Sequence, residues 1–288
     1  MANVTKQVKV TKKSLMVVQA NCLIGTCVDL SLNEHKLLRF LIAKIYRKGA
    51  DLGAPIRFSA RELNEALELE ESNCSMYSRS IKCLETLTKT KFYFKDEHDA
   101  KKVLYVSWVS SFHLSQEDYD TKYVKYIDVF FAPELSAYLQ NLGETYSYLK
   151  YNLDEIVKFR SAYSLILYEL LLKDVRIGKL TYYDTIEDFR KSLGVEEFQY
   201  VRLSNLRDRV IDTALAEIKA HTDLKVSFKW EKEYQSVVGI TINIQKKETA
   251  KQVDEVEVEK TVEVRQVSAR ALKFSAIVSK RKLSKRVK

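Results

Sequence analysis

Glycine and proline are scarce, 7 and 2 in 288 residues. So few glycines disfavour phosphate-cradling loops, and neither GxxxxGK[ST] nor GxGxxG occurs. The chain is therefore expected to run in long helices and tight hairpins rather than extended linkers. No apolar run approaches the roughly 18–20 residues of a membrane span. Met1–Ser14 carries Lys6, Lys9, Lys12 and Lys13 but no apolar stretch of the secretory kind, so a cytoplasmic location without a membrane partner is expected. Cys22, Cys27, Cys74 and Cys83 lack zinc-site spacing, and His35, His98, His113 and His221 lie far from paired positions. Buried free thiols, with no metal and no other cofactor, are the expectation.

Charge is misleading until it is localised. The formal net charge is +9, yet Arg265–Lys288 holds nine Lys/Arg and no Asp/Glu. Removing that stretch leaves 39 basic against 39 acidic residues, so positions 1–264 are neutral overall. The basic pI belongs to the tail, and a nucleic-acid partner has to be argued from local charge.

Helical apolar spacing is clear in Leu32–Tyr46, at Leu37, Leu38, Leu41, Ile42 and Ile45. Ser31 and Glu34 stand in capping-box register before it, and Gly49 offers a stop beyond it. A short strand, Ile56–Phe58, precedes Ser59, which is placed to cap a helix carrying Leu63 and Leu67. A longer helix, about Ser75 to Thr88, comes next. Phe92 and Phe94, then Leu104, Val106 and Trp108, flank the polar turn Asp96–Lys101 and predict a β-hairpin within Lys91–His113.

The same order returns downstream. Ala162–Leu172 reads as an apolar helix and Leu180–Tyr182 as a short strand. Asp184 or Thr185 can cap a helix carrying Ile186, Phe189 and Leu193, and Val201–His221 reads as a longer helix. A hairpin over Lys225–Ile244 closes the series. Ser59 to Thr185, Leu63 to Phe189 and Leu67 to Leu193 are each 126 positions apart. Helix, strand, helix, longer helix, hairpin is the chain order of a winged helix-turn-helix, found here twice. The expected fold is α+β: two tandem winged helix-turn-helix domains related by internal duplication, plus a basic C-terminal tail. The expected divisions are an N-terminal segment 1–29, a first domain 30–125, a connection 126–153, a second domain 154–245 and a tail 246–288. Valines 253, 256, 258, 262 and 264 alternate in the tail without an evident partner.

In this architecture the longer helix of each domain enters the major groove of double-stranded DNA. At 100° per residue, Tyr77, Ile81, Leu84 and Leu87 form the inner stripe of the first, with Met76 and Cys83 at its edge. Ser75, Arg79 and Lys82 lie opposite, alongside Ser78, Thr86 and Lys89. In the second, Leu203, Leu206, Val210, Ala214 and Ile218 point inward, and Arg202, Asn205 and Arg209 line up outside. Arg and Asn match guanine and adenine edges in geometry. Arg207 projects toward the apolar side, which suits an ion pair or snorkelling. Asp208 and Asp212 flank the candidate face and oppose phosphate unless paired. Lys101 and Lys102 in the first hairpin, with Lys95, and Lys229 and Lys232 in the second, are placed to follow the phosphates. The 17 Tyr and 12 Phe are expected to serve mainly the core.

SAYSLILYELLLK (Ser161–Lys173), DTIEDFRKSLGV (Asp184–Val195) and QYVRLSNLRDRVIDTALAEIKAHTDLKVSF (Gln199–Phe228) resemble strings of the replication initiator proteins of iteron-containing bacterial plasmids. YIDVFFAPELSAYLQNLGETYSYLKYNL (Tyr126–Leu153) is similar to the connection between the two domains of that family. The resemblance spans roughly Leu30 to Gln245 and is stronger in the second half. It implies an initiator that binds direct repeats at a plasmid origin as a monomer, opens the adjacent duplex and recruits host initiation proteins and helicase. It also implies a monomer-dimer equilibrium, with the dimer repressing its own promoter through an inverted repeat. Arg202 and Arg209 match basic recognition-helix positions, and Asp208 stands where some relatives carry a further basic residue. Ser75, Arg79 and Lys82 correspond only by their place in the helix.

Two other readings share parts of the pattern. A two-domain winged-helix transcriptional regulator has the same helices and hairpins but binds a single palindrome. An origin-nicking enzyme needs a tyrosine beside a His-x-His site or a carboxylate cluster, and no catalytic residues of either kind stand out. Deleting Arg265–Lys288 is predicted to lower affinity for non-specific DNA while leaving selectivity for the repeats intact, as measured by competition binding. Loss of selectivity would make the tail more than an electrostatic appendage.

Overall fold

The computed structural model describes residues 15–247, apart from 49–52, 70, 71, 97, 100, 117–123, 141 and 144. Gly49 and the tail beyond Lys247, with its valines and basic end, lie outside the described residues. Met16–Ala20 forms β1, and Leu32–Lys48 forms α1. The capping box at its start is made: Glu34 N donates to Ser31 Oγ at 3.4 Å, and Ser31 N donates to Glu34 Oε2 at 2.7 Å. The predicted stripe of α1 is buried, but so are Phe40, Ala43, His35, Arg39 and Lys44. A helix covered nearly all round is a central element, not a surface one.

β2 (Ile56–Phe58) leads into α2 (Ala60–Leu67), where Ser59 Oγ accepts from Glu62 N at 3.2 Å. α3 (Asn73–Lys89) follows, capped by Ser72. β3 (Lys91–Lys95) and β4 (Val103–Ser107) pair as the expected hairpin. That hairpin ends earlier than its alternation suggested. Trp108, buried and stacked on Phe92 at 4.9 Å, separates β4 from β5 (Val109–Gln116). β5 pairs with β6 (Val124–Phe131), giving a three-stranded sheet in the order β2-β6-β5. The division drawn between residues 125 and 126 falls inside β6, whose hydrogen bonds run to the strands of the first domain.

Between the two domains come α4 (Ser136–Leu139), β7 (Tyr148–Asn152) and α5 (Asp154–Val157). β7 pairs antiparallel with β1, so the N-terminal segment and the connection share a sheet. α6 (Ala162–Arg176) comes next, followed by β8 (Thr181–Thr185) and α7 (Ile186–Leu193). Thr185 caps α7 through Asp188 N at 3.1 Å, just as Ser59 caps α2. Gly194 ends α7 at φ 69°, and a Cβ there would lie 2.7 Å from the Val28 side chain, so this position requires glycine. The long second-domain helix begins as α8 (Leu203–Leu206), passes through a π turn at Arg207–Ile211 and continues as α9 (Asp212–His221). β9 (Leu224–Glu233) and β10 (Ser236–Lys246) make the second hairpin, and β8 joins it in the order β8-β10-β9. The helices of the two halves correspond, while the first strand of each is wired into its sheet differently. Among the described residues no helix is long and apolar enough to cross a membrane.

Two buried polar clusters tie these parts together. Arg39 of α1 meets Glu169 of α6 in a bidentate pair, Nε to Oε1 and Nη2 to Oε2, each 2.7 Å. Their side chains are only 5% and 2% exposed. Gln19 Nε2 of β1 donates to Glu169 Oε1 at 3.1 Å, and the Tyr151 hydroxyl of β7 donates to the same oxygen at 2.6 Å. Burial alone would weaken the Arg39 cation, but the Glu169 carboxylate beside it outweighs that and keeps it charged. The second cluster holds the first hairpin. Asp96, at its turn, is buried and accepts from the Tyr138 hydroxyl at 2.6 Å and the Tyr146 hydroxyl at 3.3 Å. The expected polar turn is thus anchored on its first residue.

Removing one member of the Arg39–Glu169 pair strands the other as a buried charge. Arg39→Met is predicted to cost about 3–5 kcal/mol in chemical denaturation. The double variant Arg39→Met/Glu169→Leu should recover much of that loss, and a double variant no better than the single would contradict this account. Hydrogen bonding from Tyr138, the backbone of His98 and Tyr146, with Lys102 nearby, holds the Asp96 carboxyl below its ordinary range. A depressed carboxylate pKa adds stability above the unfolded value, near 4, and loses it as pH falls through the folded one. Tyr138→Phe should therefore destabilise the protein by about 1.5–3 kcal/mol at neutral pH, with the gap from wild type narrowing in denaturation below about pH 4.

Candidate nucleic-acid interface

The second-domain helix buries Leu206, Val210, Ile211, Ala214, Leu215 and Ile218, with Leu203 half-buried. Val210 and Ile211, at the end of the π turn, are both buried. Thr213 Oγ1 donates to the Asp208 carbonyl at 3.2 Å across the same five-residue interval.

On the opposite side Arg202, Asn205 and Arg209 are exposed. With Phe198, Tyr200 and Val201 they line an open depression of about 430 Å³. None of the three polar side chains forms an ion pair or hydrogen bond among the described residues, so their donors face solvent. Arg207 behaves differently from its neighbours. Its Nε lies 3.2 Å from Asp212 Oδ2, and its guanidinium sits 5.8 Å from the centre of the Phe228 ring. That pairing gives Arg207 the structural role expected of it and takes Asp212 out of competition with the reading face. Asp208 stays exposed beside Arg209.

Sequence reasoning missed the turn that presents this helix. Arg190 of α7 donates to the carbonyls of Glu196 (2.7 Å), Glu197 (3.4 Å), Gln199 and Tyr200 (3.1 Å). Tyr200 adopts a left-handed backbone, φ 46°, and its ring meets Tyr163 edge-on. The available signal was composition: Phe198 and Val201 are apolar residues with no place in any helical stripe.

In the first domain α3 buries Met76, Ser80, Cys83, Leu84 and Leu87, while Tyr77 and Ile81 are half-buried. The stripe centre is therefore rotated from the expected one, and Met76 and Cys83 move from its edge into its middle. Ser80 tolerates the core because its hydroxyl donates to the Met76 carbonyl at 2.8 Å. Tyr77 sits further out, and its hydroxyl reaches the Lys125 carbonyl. Ser75 and Lys82 are exposed on the outer face and Arg79 is half-buried. The Ser75 amide donates to Ser72 Oγ at 3.3 Å, which puts Ser75 in the first turn of a helix beginning two residues before the expected start.

The hairpin lysines divide into committed and open groups. Lys102 Nζ lies 3.7 Å from Asp96 Oδ2, and Lys229 Nζ lies 3.0 Å from Glu231 Oε1. Lys101 and Lys232 are exposed with no ion pair among the described residues. At the second hairpin's tip Tyr234 projects fully into solvent, 97% exposed, from a left-handed backbone at φ 54°.

Comparison with known proteins bears on the family and the fold. The family described as Initiator Replication protein, WH1, matches residues 16–172, and that described as Initiator Rep protein, WH2, matches residues 185–244. The crystal structure of Pi initiator protein in complex with iteron DNA aligns with a TM-score of 0.67 at 17% identity, over 83% of this chain and 100% of that one. Domains 2 and 3 of RctB align with a TM-score of 0.49 at 12% identity, over 80% of this chain and 85% of that one. No curated protein matches by sequence. The likeness to the Pi protein establishes a shared fold, two winged-helix domains in tandem.

Proposed function

The chain belongs to the initiator replication protein family, carrying its WH1 and WH2 regions in order, and on that premise we propose that it binds directly repeated double-stranded DNA at a plasmid origin. One observation carries the reading at residue level. Arg202, Asn205 and Arg209 converge, solvent-facing and without ion pairs among the described residues, on the outer face of the second-domain recognition helix. Two arginines and an asparagine on a helix can make bidentate contacts to guanine and adenine in the major groove. Ser75, Arg79 and Lys82 are the corresponding set in the first domain. Lys101, Lys102, Lys229 and Lys232 are assigned to the phosphates on either side, where they set orientation without reading sequence.

Iteron DNA is the bound ligand of the Pi initiator protein, to which this chain is similar in fold. By extension, the protein occupies its repeats, promotes opening of the neighbouring duplex in the cytoplasm and recruits host initiation proteins and helicase. Dimers repress the protein's own promoter. It performs no covalent chemistry on the DNA in this scheme.

The test is binding of the purified full chain to tandem repeats from the origin of its own plasmid, against scrambled duplex at about 150 mM salt. Selective, stepwise occupation is expected. Arg202→Ala and Arg209→Ala should each weaken specific binding by about 1–3 kcal/mol. Equal weak binding to both duplexes would overturn the reading, and unchanged affinity in both folded variants would remove the second-domain reading face.

A further inference from the structure

Phe198 and Val201 are exposed apolar side chains that, unlike Tyr105 or Tyr234 on the hairpins, sit beside the polar groups of the second-domain helix. They are 77% and 73% exposed, and both line the depression that holds Arg202, Asn205 and Arg209. Leaving a phenylalanine in water forgoes about 1.5–3 kcal/mol of burial. This one is held outward. The segment from Glu196 to Tyr200 is fastened by four carbonyls accepting from the single Arg190 guanidinium, and Gln199 Oε1 accepts from Glu196 N at 3.4 Å. The left-handed turn at Tyr200 then passes Val201 directly to Arg202, the residue that caps α8.

We propose that Phe198 and Val201 read thymine by enclosing its C5-methyl group in the major groove. The inference rests on the DNA-binding reading above and adds a specificity determinant to it. The methyl is the one apolar group that the bases display in that groove, and phenylalanine is among the side chains that contact it. The surroundings select this occupant over an apolar protein surface. A protein partner burying Phe198 and Val201 would also desolvate Arg202 and Arg209, two cations without a counter-charge among the described residues. DNA supplies both the apolar methyl and the acceptors that those arginines need. Arg190 acts as a positioning residue, touching only the carbonyls of the turn.

The experiment first selects a preferred duplex from a random library with the full chain. Each thymine of that duplex is then replaced, one at a time, by deoxyuridine, which keeps base pairing and removes only the methyl. Wild-type protein should lose about four-fold in affinity at one or two positions, the worth of a buried methyl. In Phe198→Ala or Val201→Ala the thymine and deoxyuridine duplexes should bind equally at the corresponding position, while discrimination at guanine and adenine positions persists. Both side chains are exposed, so truncation should leave the fold intact, and the wild-type measurement stands without either variant. A selected duplex that shows no deoxyuridine penalty anywhere, or an unchanged penalty in both variants, overturns methyl reading and leaves the initiator function in place. Failure to recover any preferred duplex overturns both.

Discussion

The buried Arg39–Glu169 pair is the interaction at which distant parts of the chain are tied together. It joins α1 to α6, and β1 and β7 contribute Gln19 and Tyr151 to the same carboxylate. A continuous apolar core surrounds it. A buried ion pair of this kind is a weak source of net stability, because desolvation offsets much of the Coulomb gain. Its value here is geometric. The two bonds of the bidentate pair and two further donors bring four elements from distant parts of the chain onto one carboxylate.

Within that frame the second recognition helix is built by a sequence of local commitments. Thr185 starts α7, Gly194 ends it against Val28, and Arg190 shapes the turn that follows. The helix then passes through the π turn, where Val210 and Ile211 both lie in the core. Arg202, Asn205 and Arg209, before and within that turn, stay on the outside. Arg207 and Asp212 neutralise one another at the flank. Arg202, Asn205 and Arg209 remain open on that face, with Asp208 exposed beside them. The first domain shows a different economy: its outer helix face is more mixed, and its hairpin is held down by Asp96 between two tyrosine hydroxyls.

The sequence by itself determined the local elements and the family. Capping residues at Ser31, Ser59 and Thr185 act over three positions, and helical stripes over a few turns, so both are readable without knowing the fold. The 126-residue repeat rests on the same local signals occurring twice, and the outward set Arg202, Asn205 and Arg209 follows from spacing alone. Only the tertiary structure decided which distant segments meet. Arg39 and Glu169 are 130 positions apart, and nothing local in either helix marks the other as its partner. The pairing of β1 with β7, the place of β6 in the first sheet, the rotated stripe of α3 and the π turn are likewise non-local outcomes. Periodicity assigns a residue to a face, but which face is buried, and against what, is set by packing among elements far apart in the chain.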